Sequence, residues 1–306
     1  MANTTFSGPV RSENGFVIAN KNSSTGIVTD SSVHSSANKD VRRYYLEEYW
    51  KRRPALNAVV NTAFSDADAT AAANGTIRLA EKVANKDFEV LGTSMTTALC
   101  TFDTTRAGII ITTGGTDQNQ AIIAPHLDTN QSSWTAVPWG TENQVTWECT
   151  VTTAASIADI KLWAGLKLTN DQLIVTDADQ AYFKFQTDAT NSEAFTDFTL
   201  LHFVHSIGDT DYISALPITV AVDTEYHLKI VIDSNRKASI YVNGIQYNVT
   251  STSGSTGGTA VTTGTDKTAA LTDDVNFIPY IGVETGAGSA KALKVHWQAI
   301  SRLIFE

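Results

Sequence analysis

Two cysteines in 306 residues, Cys100 and Cys149, stand far apart and in no metal-ligand spacing. That excludes a disulfide framework and a thiolate zinc site. They read as two small buried hydrophobes, with a single disulfide across antiparallel strands as the alternative. Charged residues make up only 18% of the chain, and Pro, Met and His are scarce. Long surface helices, which draw on Lys and Glu, are not expected from such a composition. No apolar run approaches the roughly 20 residues of a membrane span, and no apolar stretch follows a basic amino terminus, so synthesis and retention in a cytoplasm is the expectation. A Gly-x-Ser-x-Gly elbow and a Walker-type loop are both missing.

What the chain does have is Thr, Ser, Asn, Asp, Ala and Gly, together with a hydrophobic content of 42%. This favours many short strands and turns around a real core, hence an all-β fold. The net charge of −10 is uneven: residues 1–53 hold eight Lys or Arg against five Asp or Glu, +3, leaving −13 for the rest. An acidic body argues against a nucleic-acid surface, which relies on clustered cations.

The most regular stretch is "YHLKIVIDSNRKASIYVNGIQYNV", residues 226–249. Tyr226, Leu228, Ile230 and Ile232 alternate with polar residues, with Val231 the one breach. A turn at 234–237 leads to a second run, Ala238, Ile240 and Val242. Asn243-Gly244 then suits the two φ > 0 positions of a type I′ turn, so three antiparallel strands are expected. Further strand-like runs follow one another from residue 88 to 305, among them "FEVLG", "QAIIAP", "KLWAGLKLT", "AYFKFQ" and "FIPYIGVET". With no helical periodicity between them, antiparallel sheets closing as a two-sheet sandwich are required. Residues 250–268 read as a long flexible loop.

Upstream, residues 1–37 are polar with isolated apolar anchors and read as an extended arm that orders against something else. Residues 38–54, "NKDVRRYYLEEYWKRRP", read as a short helix capped by Asn38 and stopped by Pro54, with a strand as the rival; its aromatics surround the segment more than one buried stripe needs. Residues 55–85 form a linker. The resulting division is 1–37 arm, 38–85 aromatic-basic segment and linker, 86–306 sandwich.

Candidate chemistry is sparse. No Glu-x-Asp-x-Glu-like pattern places paired acids on a strand, as β-sandwich glycosidases do. Asp66/Asp68, Asp177/Asp179, Asp209/Asp211 and Asp273/Asp274 read as solvated turn residues, with calcium or catalysis as the lesser readings. His202 and His205, three apart on a strand, point to opposite faces and make no metal site. Trp134 and Trp139 flank a probable loop; they either cover a sandwich edge or stack on sugar rings. No catalytic residue, metal or cofactor is therefore assigned, and the sequence supports no enzyme.

The strings from "FEVLGTSMTTALCTFD" through "WGTENQVTWECTVTTAASIADIKLWAGLKLT" and "DADQAYFKFQ" to "FIPYIGVETGAGSAKALKVHWQAISRLIFE" resemble concanavalin A-like jelly-roll domains in structural proteins of tailed bacteriophages. "TTFSGPVRSENGF" is similar to the arm of marine phage capsid-associated proteins. The resemblance implies a jelly-roll β-sandwich with an extended arm and a short helical or irregular connector. It further implies a capsid decoration (cement) protein on the outer surface of a virion, bound to the major capsid protein and forming homo-oligomers there. Phe6, Pro9, Val10, Arg11, Phe16, Arg42, Arg43 and Trp50 are the expected capsid contacts. The alternative is an adhesin or fibre module that binds host surface glycans through Trp134 and Trp139.

Overall fold

The computed structural model describes residues 19–21, 28–30, 42–51, 54–57, 88–93, 95–125, 139–188, 193, 195–255, 257–262, 264–286 and 288–304. The chain divides into two compact units, residues 1–40 and 41–306. In the first, β1 (Ala19–Lys21) pairs antiparallel with β2 (Val28–Asp30). The arm contacts expected at Phe6, Pro9, Val10, Arg11 and Phe16 lie outside the described residues.

The second unit runs through β3 (Arg43–Glu48), β4 (Ala55–Asn57), β5 (Phe88–Gly92), β6 (Cys100–Phe102), β7 (Ile109–Thr112), β8 (Gln120–Pro125), β9 (Trp139–Gly140) and β10 (Thr146–Thr153). It continues with β11 (Ile160–Lys167), β12 (Gln180–Gln186), β13 (Leu200–Ile207), β14 (Thr210–Thr219), β15 (Glu225–Ile232) and β16 (Ala238–Val242). The last four are β17 (Ile245–Tyr247), β18 (Thr259–Ala260), β19 (Asn276–Thr285) and β20 (Ala292–Leu303). One sheet has the order β17-β16-β15-β10-β20-β7-β6, with β3 also on β20; the other has the order β18-β14-β13-β12-β11-β19-β8-β5-β4, with β9 on β19. We call them the eight- and ten-stranded sheets. Pairing is antiparallel except at the short outer pairs β14/β18 and β4/β5.

Alternation builds the core. Trp147, Cys149 and Val151 of β10 and Leu228, Ile230 and Ile232 of β15 meet Ile160, Ala164 and Leu166 of β11 and Phe183 and Phe185 of β12. The hairpin forms as expected: β15, β16 and β17 pair in sequence, and Asn243 (φ 52°) and Gly244 (φ 78°) both take the left-handed conformation that a type I′ turn needs. Both cysteines are buried and form no disulfide.

Three expectations are corrected. Residues 43–48 are a strand rather than a helix, in register with Gln298–Leu303 of β20. Aromatics that surround a helix are simply the two faces of a strand, and Leu46 faces the core. Beyond it Trp50, at φ 52°, turns its indole inward against Phe88 (centroids 6.0 Å apart), so it is not a surface contact. The supposed connector thus gives β3 to one sheet and β4 to the other. Residues 210–219, not recognised as a strand, pair with β13 along an outer edge of the sheet, where the missing N–H of exposed Pro217 is tolerated. Within 250–268, finally, β18 and the Val249–Thr265 bridge give the supposed loop fixed pairing.

If β3 is integral to the sandwich, Leu46→Ala leaves a core void and costs about 2 to 5 kcal/mol. Urea unfolding measures this; an unmoved midpoint would show that the segment is peripheral.

Candidate functional site

The alternation that sends Ala181, Phe183 and Phe185 of β12 into the core leaves Gln180, Tyr182, Lys184 and Gln186 on the face of the ten-stranded sheet that points away from its partner. On β11 the same rule leaves Lys161, Trp163, Gly165 and Lys167 there. Register aligns these residues in rungs across the sheet. One rung reads Gln120, Glu284, Lys161, Gln186. The next reads Ile122, Gly282, Trp163, Lys184, His202, Ala215, and a third Tyr280, Gly165, Tyr182, Val204, Ile213. Gly282 is what lets the Trp163 indole lie across β19, since a Cβ there would stand 2.2 Å from the ring. Gly165, at φ 151°, brings β11 so close to Tyr182 that a Cβ would meet its Cα at 2.5 Å.

Described residues of two connections lie over this face: those between β11 and β12 and, after β12, Asp188 and Glu193. The strap between β11 and β12, residues 168–179, is held by Asp177, whose carboxylate pairs with Lys167 Nζ at 3.0 Å and accepts from the N–H groups of Leu168 and Thr169 and the Thr169 hydroxyl. Gln172 accepts two hydrogen bonds from Lys184 Nζ, one at its backbone oxygen and one at its side chain, each 2.7 Å. Gln180 Nε2 donates to Ile174 O and to Ser206 Oγ, and Ser206 donates to Asp211. From the second segment, after β12, Glu193 pairs with Lys184 and also accepts from Ile174 N–H, which ties the two segments together. Lys161 lies between Glu284 (2.6 Å) and Asp188 (3.3 Å).

All three ammonium groups are fully buried. Desolvation holds the Lys184 pKa down to about 8 against the pull of Glu193, and lowers that of Lys167 against the pull of Asp177. The phenol of Tyr182, with Lys167 Nζ 4.3 Å from its ring centroid, and that of Tyr280 are pushed well up by burial. Both side-chain atoms of Asn170, Gln186 Oε1 and Trp163 Nε1 are buried with no hydrogen-bond partner among the described residues. Each such group costs about 1–3 kcal/mol unless water or a ligand meets it. In this closed state the cations, amide groups and aromatic rings of the face are all buried, and a hydroxyl-rich ligand would reach them only with the strap displaced. By contrast, a largely apolar cavity of about 40 Å³ between the sheets, lined by Val151, Thr153, Phe183, Leu201 and Tyr226 among others, has room for about one water, and the hydroxyls of Thr153 and Tyr226 are engaged by the Ala221 backbone.

Few of the residues singled out from sequence meet here. Trp139 is 1% exposed, its ring 5.8 Å from Tyr44, so it offers no free face to a sugar; Trp134 lies outside the described residues. Arg42 is exposed at the start of β3, whereas Arg43 donates to Gln144 O and to Ser301 within the sandwich. Asp177 and Asp179 are buried rather than solvated, while Asp209, Asp273 and Asp274 are exposed and Asp66 and Asp68 lie outside the described residues. The carboxylates of Glu142, Asp273 and Asp274 come within 4.8 Å of one another. His202 and His205 do point to opposite faces, His202 to this one and His205 inward against Phe203 and Tyr212. The lysines and their partners were missed. Their signal is the alternation itself, Lys184 lying between Phe183 and Phe185.

No protein-family model matches the chain, and no curated protein matches it by sequence. Similar solved structures include a protein of unknown function from Shewanella oneidensis MR-1 (8% identity, 89% of this chain and 96% of that one, TM-score 0.46). They include an alginate lyase of polysaccharide lyase family 7 (12% identity, 69% and 86%, TM-score 0.41) and the potassium-bound carbohydrate recognition domain of Emp46p (8% identity, 70% and 88%, TM-score 0.41). The described strands form an all-β sandwich of two sheets, as expected. The phage setting of the expected family is not shown. The expectation that the chain is no enzyme is also corrected: a missing catalytic string does not exclude catalysis.

Burial lowers the pKa of His202 to about 4, partly offset by a backbone hydrogen bond at Leu200 and by Asp197, and that of His205 to about 3. Both fall below the 6.5 of an unfolded histidine, so the unfolded chain takes up protons first and stability falls as pH drops through 6.5 toward 4. His205 alone withdraws on the order of 2 kcal/mol between pH 7 and 5. His205→Phe, which keeps a ring against Tyr212, flattens the profile; urea unfolding at both pH values shows whether it does.

Proposed function

We propose that this chain is a glycan-recognition domain whose sugar site is the outward face of the ten-stranded sheet, centred on Trp163, Tyr182, Lys184 and Gln186, which are buried until the strap over them is displaced. The observation that carries this reading is a set of buried polar atoms without partners among the described residues, on Asn170 of the strap and on Gln186 and Trp163 of the strands beneath it, beside buried lysines and tyrosines. A scaffold gains nothing from them. Well-packed apolar side chains of similar volume hold two segments together as well as buried ion pairs do, or better. A sugar, by contrast, needs both donors and acceptors for its hydroxyls and flat rings for its C–H faces. The fold shared with a carbohydrate recognition domain is compatible with this. Whether a bound glycan is also cleaved is a property of the same face.

The virion setting expected from sequence, with a major capsid protein as partner, falls largely on arm residues outside those described, and Arg43 and Trp50 are engaged inside the sandwich. Geometry therefore supports the glycan reading over the cement reading.

Asn170→Ala separates a binding role from a structural one. Removing a buried amide whose atoms have no partner leaves thermal stability unchanged or raised. If the amide meets a sugar hydroxyl, the same change weakens binding about tenfold or more, the effect of roughly 1.4 kcal/mol. The full chain is screened against a polysaccharide array, hits are measured by calorimetry for both forms, and polymer length is followed in the same samples for cleavage. Absence of any hit, or equal binding by Asn170→Ala, refutes the assignment.

A further inference from the structure

We propose, resting on that reading, that the glycan is an anionic one, and that Asp177 and Glu193 occupy in the unbound chain the positions its acid groups take when bound. The charges on this face divide by origin. The adjacent strands β11 and β12 bring Lys161, Lys167 and Lys184 to it and no carboxylate. Glu284 comes from the neighbouring β19 and Asp211 from outlying β14, where it accepts from Ser206. The partners of Lys167 and Lys184 are carried by neither strand: Asp177 stands on the strap and Glu193 on the segment after β12.

The apolar contacts of the strap are Leu168 and Ile174, while Val175 is 72% exposed. Its other ties are polar: Lys184, Gln180 and Tyr182 donate to strap oxygens, Asp179 accepts from Thr272 and from Gly208 N–H, and Ala178 O accepts from Asp209 N–H. Lifting these segments away exposes a face of three ammonium groups interleaved with Trp163, Tyr182 and Tyr280. An acid group arriving there replaces carboxylate with carboxylate. The lysines are already aimed by the two strands, so the ligand does not bear the cost of ordering them. A neutral sugar offers no such exchange and would leave Lys167 and Lys184 unpaired. The net charge of −10 does not oppose this, because at physiological ionic strength charges beyond about 8 Å are largely screened and the local lysines dominate.

Calorimetry in 0.15 M NaCl compares the full chain with polygalacturonate, dextran sulfate and neutral dextran. The expected order is both acidic polymers at least tenfold tighter than dextran; preference for polygalacturonate over dextran sulfate marks a carboxylate-shaped site, and equality marks recognition of charge alone. Asp177→Asn keeps an acceptor for the Leu168 and Thr169 N–H groups, and Glu193→Gln keeps one for Ile174. Each removes the competing charge and is expected to tighten polyanion binding at least fivefold. Circular dichroism and thermal melts of each variant check that the fold is retained, so that a gain in affinity does not come from lysines uncovered by unfolding. Dextran binding as well as the acidic polymers overturns the charge assignment and leaves the glycan reading standing. Tight polyanion binding unchanged in both variants overturns the stand-in role, and failure of these and of every array polymer to bind removes both readings.

Discussion

An ammonium group taken out of water costs several kcal/mol and is retained only where carboxylates or oxygens surround it. Three of them lie on one face of this sandwich, and the conformation of everything above that face follows from how they are met. The lysines are not placed there independently of the core. Phe183 and Phe185 must point between the sheets, so Lys184 must point out, and the same alternation places Lys161 and Lys167 opposite Ile160 and Leu166. For two of them the counter-ion comes back from a short distance along the chain: Asp177 returns to Lys167 and Glu193 to Lys184 over loops of about ten residues, whose closure entropy is small, whereas Lys161 is met by Glu284 from β19.

The two faces of the ten-stranded sheet therefore do different work with one set of strands. The inner face sets where the strands lie, through close packing of aromatic and aliphatic side chains against the eight-stranded sheet. The outer face inherits those positions at fixed rung spacing and can carry any chemistry, which is why a sandwich of this kind identifies no function by itself. Glycine marks where the outer face was shaped: Gly282 makes room for an indole and Gly165 for a close strand approach at Tyr182. Both sit at the centre of the face.

Period-two alternation and turn chemistry are local properties, and wherever they decide a structure it was legible in the chain. The hairpin from Tyr226 to Tyr247 needed only its own residues, and so did the opposite facing of His202 and His205. Residues 43–48 needed more, since their aromatics suit a helix as well as a strand and the free edge of β20 decides between the two. Strand β14 was hidden by Pro217 and an acidic start, signals that read differently on an outer edge. The candidate site was hidden for a related reason. Alternation puts Lys184 opposite Phe183, but an outward lysine reads as solvated until it is known that Gln172 and Glu193 return over it. Asp177 and Asp179 were misread as turn carboxylates by the same omission, and Trp139 as a loop aromatic because Tyr44, which covers it, is distant in sequence.

A closed face also sets terms for any ligand. The apparent dissociation constant of a site that must open exceeds the intrinsic one by the inverse of the open fraction, so each ion pair holding the strap is subtracted from the affinity observed. The two segments need not open as one. Asp177 ends on Lys167 and Glu193 on Lys184, and their direct link is the Glu193 carboxylate accepting from Ile174 N–H while it also meets Lys184. Displacement of Glu193 frees Lys184 and the Ile174 N–H, whereas displacement of Asp177 frees Lys167 and the N–H groups of Leu168 and Thr169, so each loosens a different part of the strap.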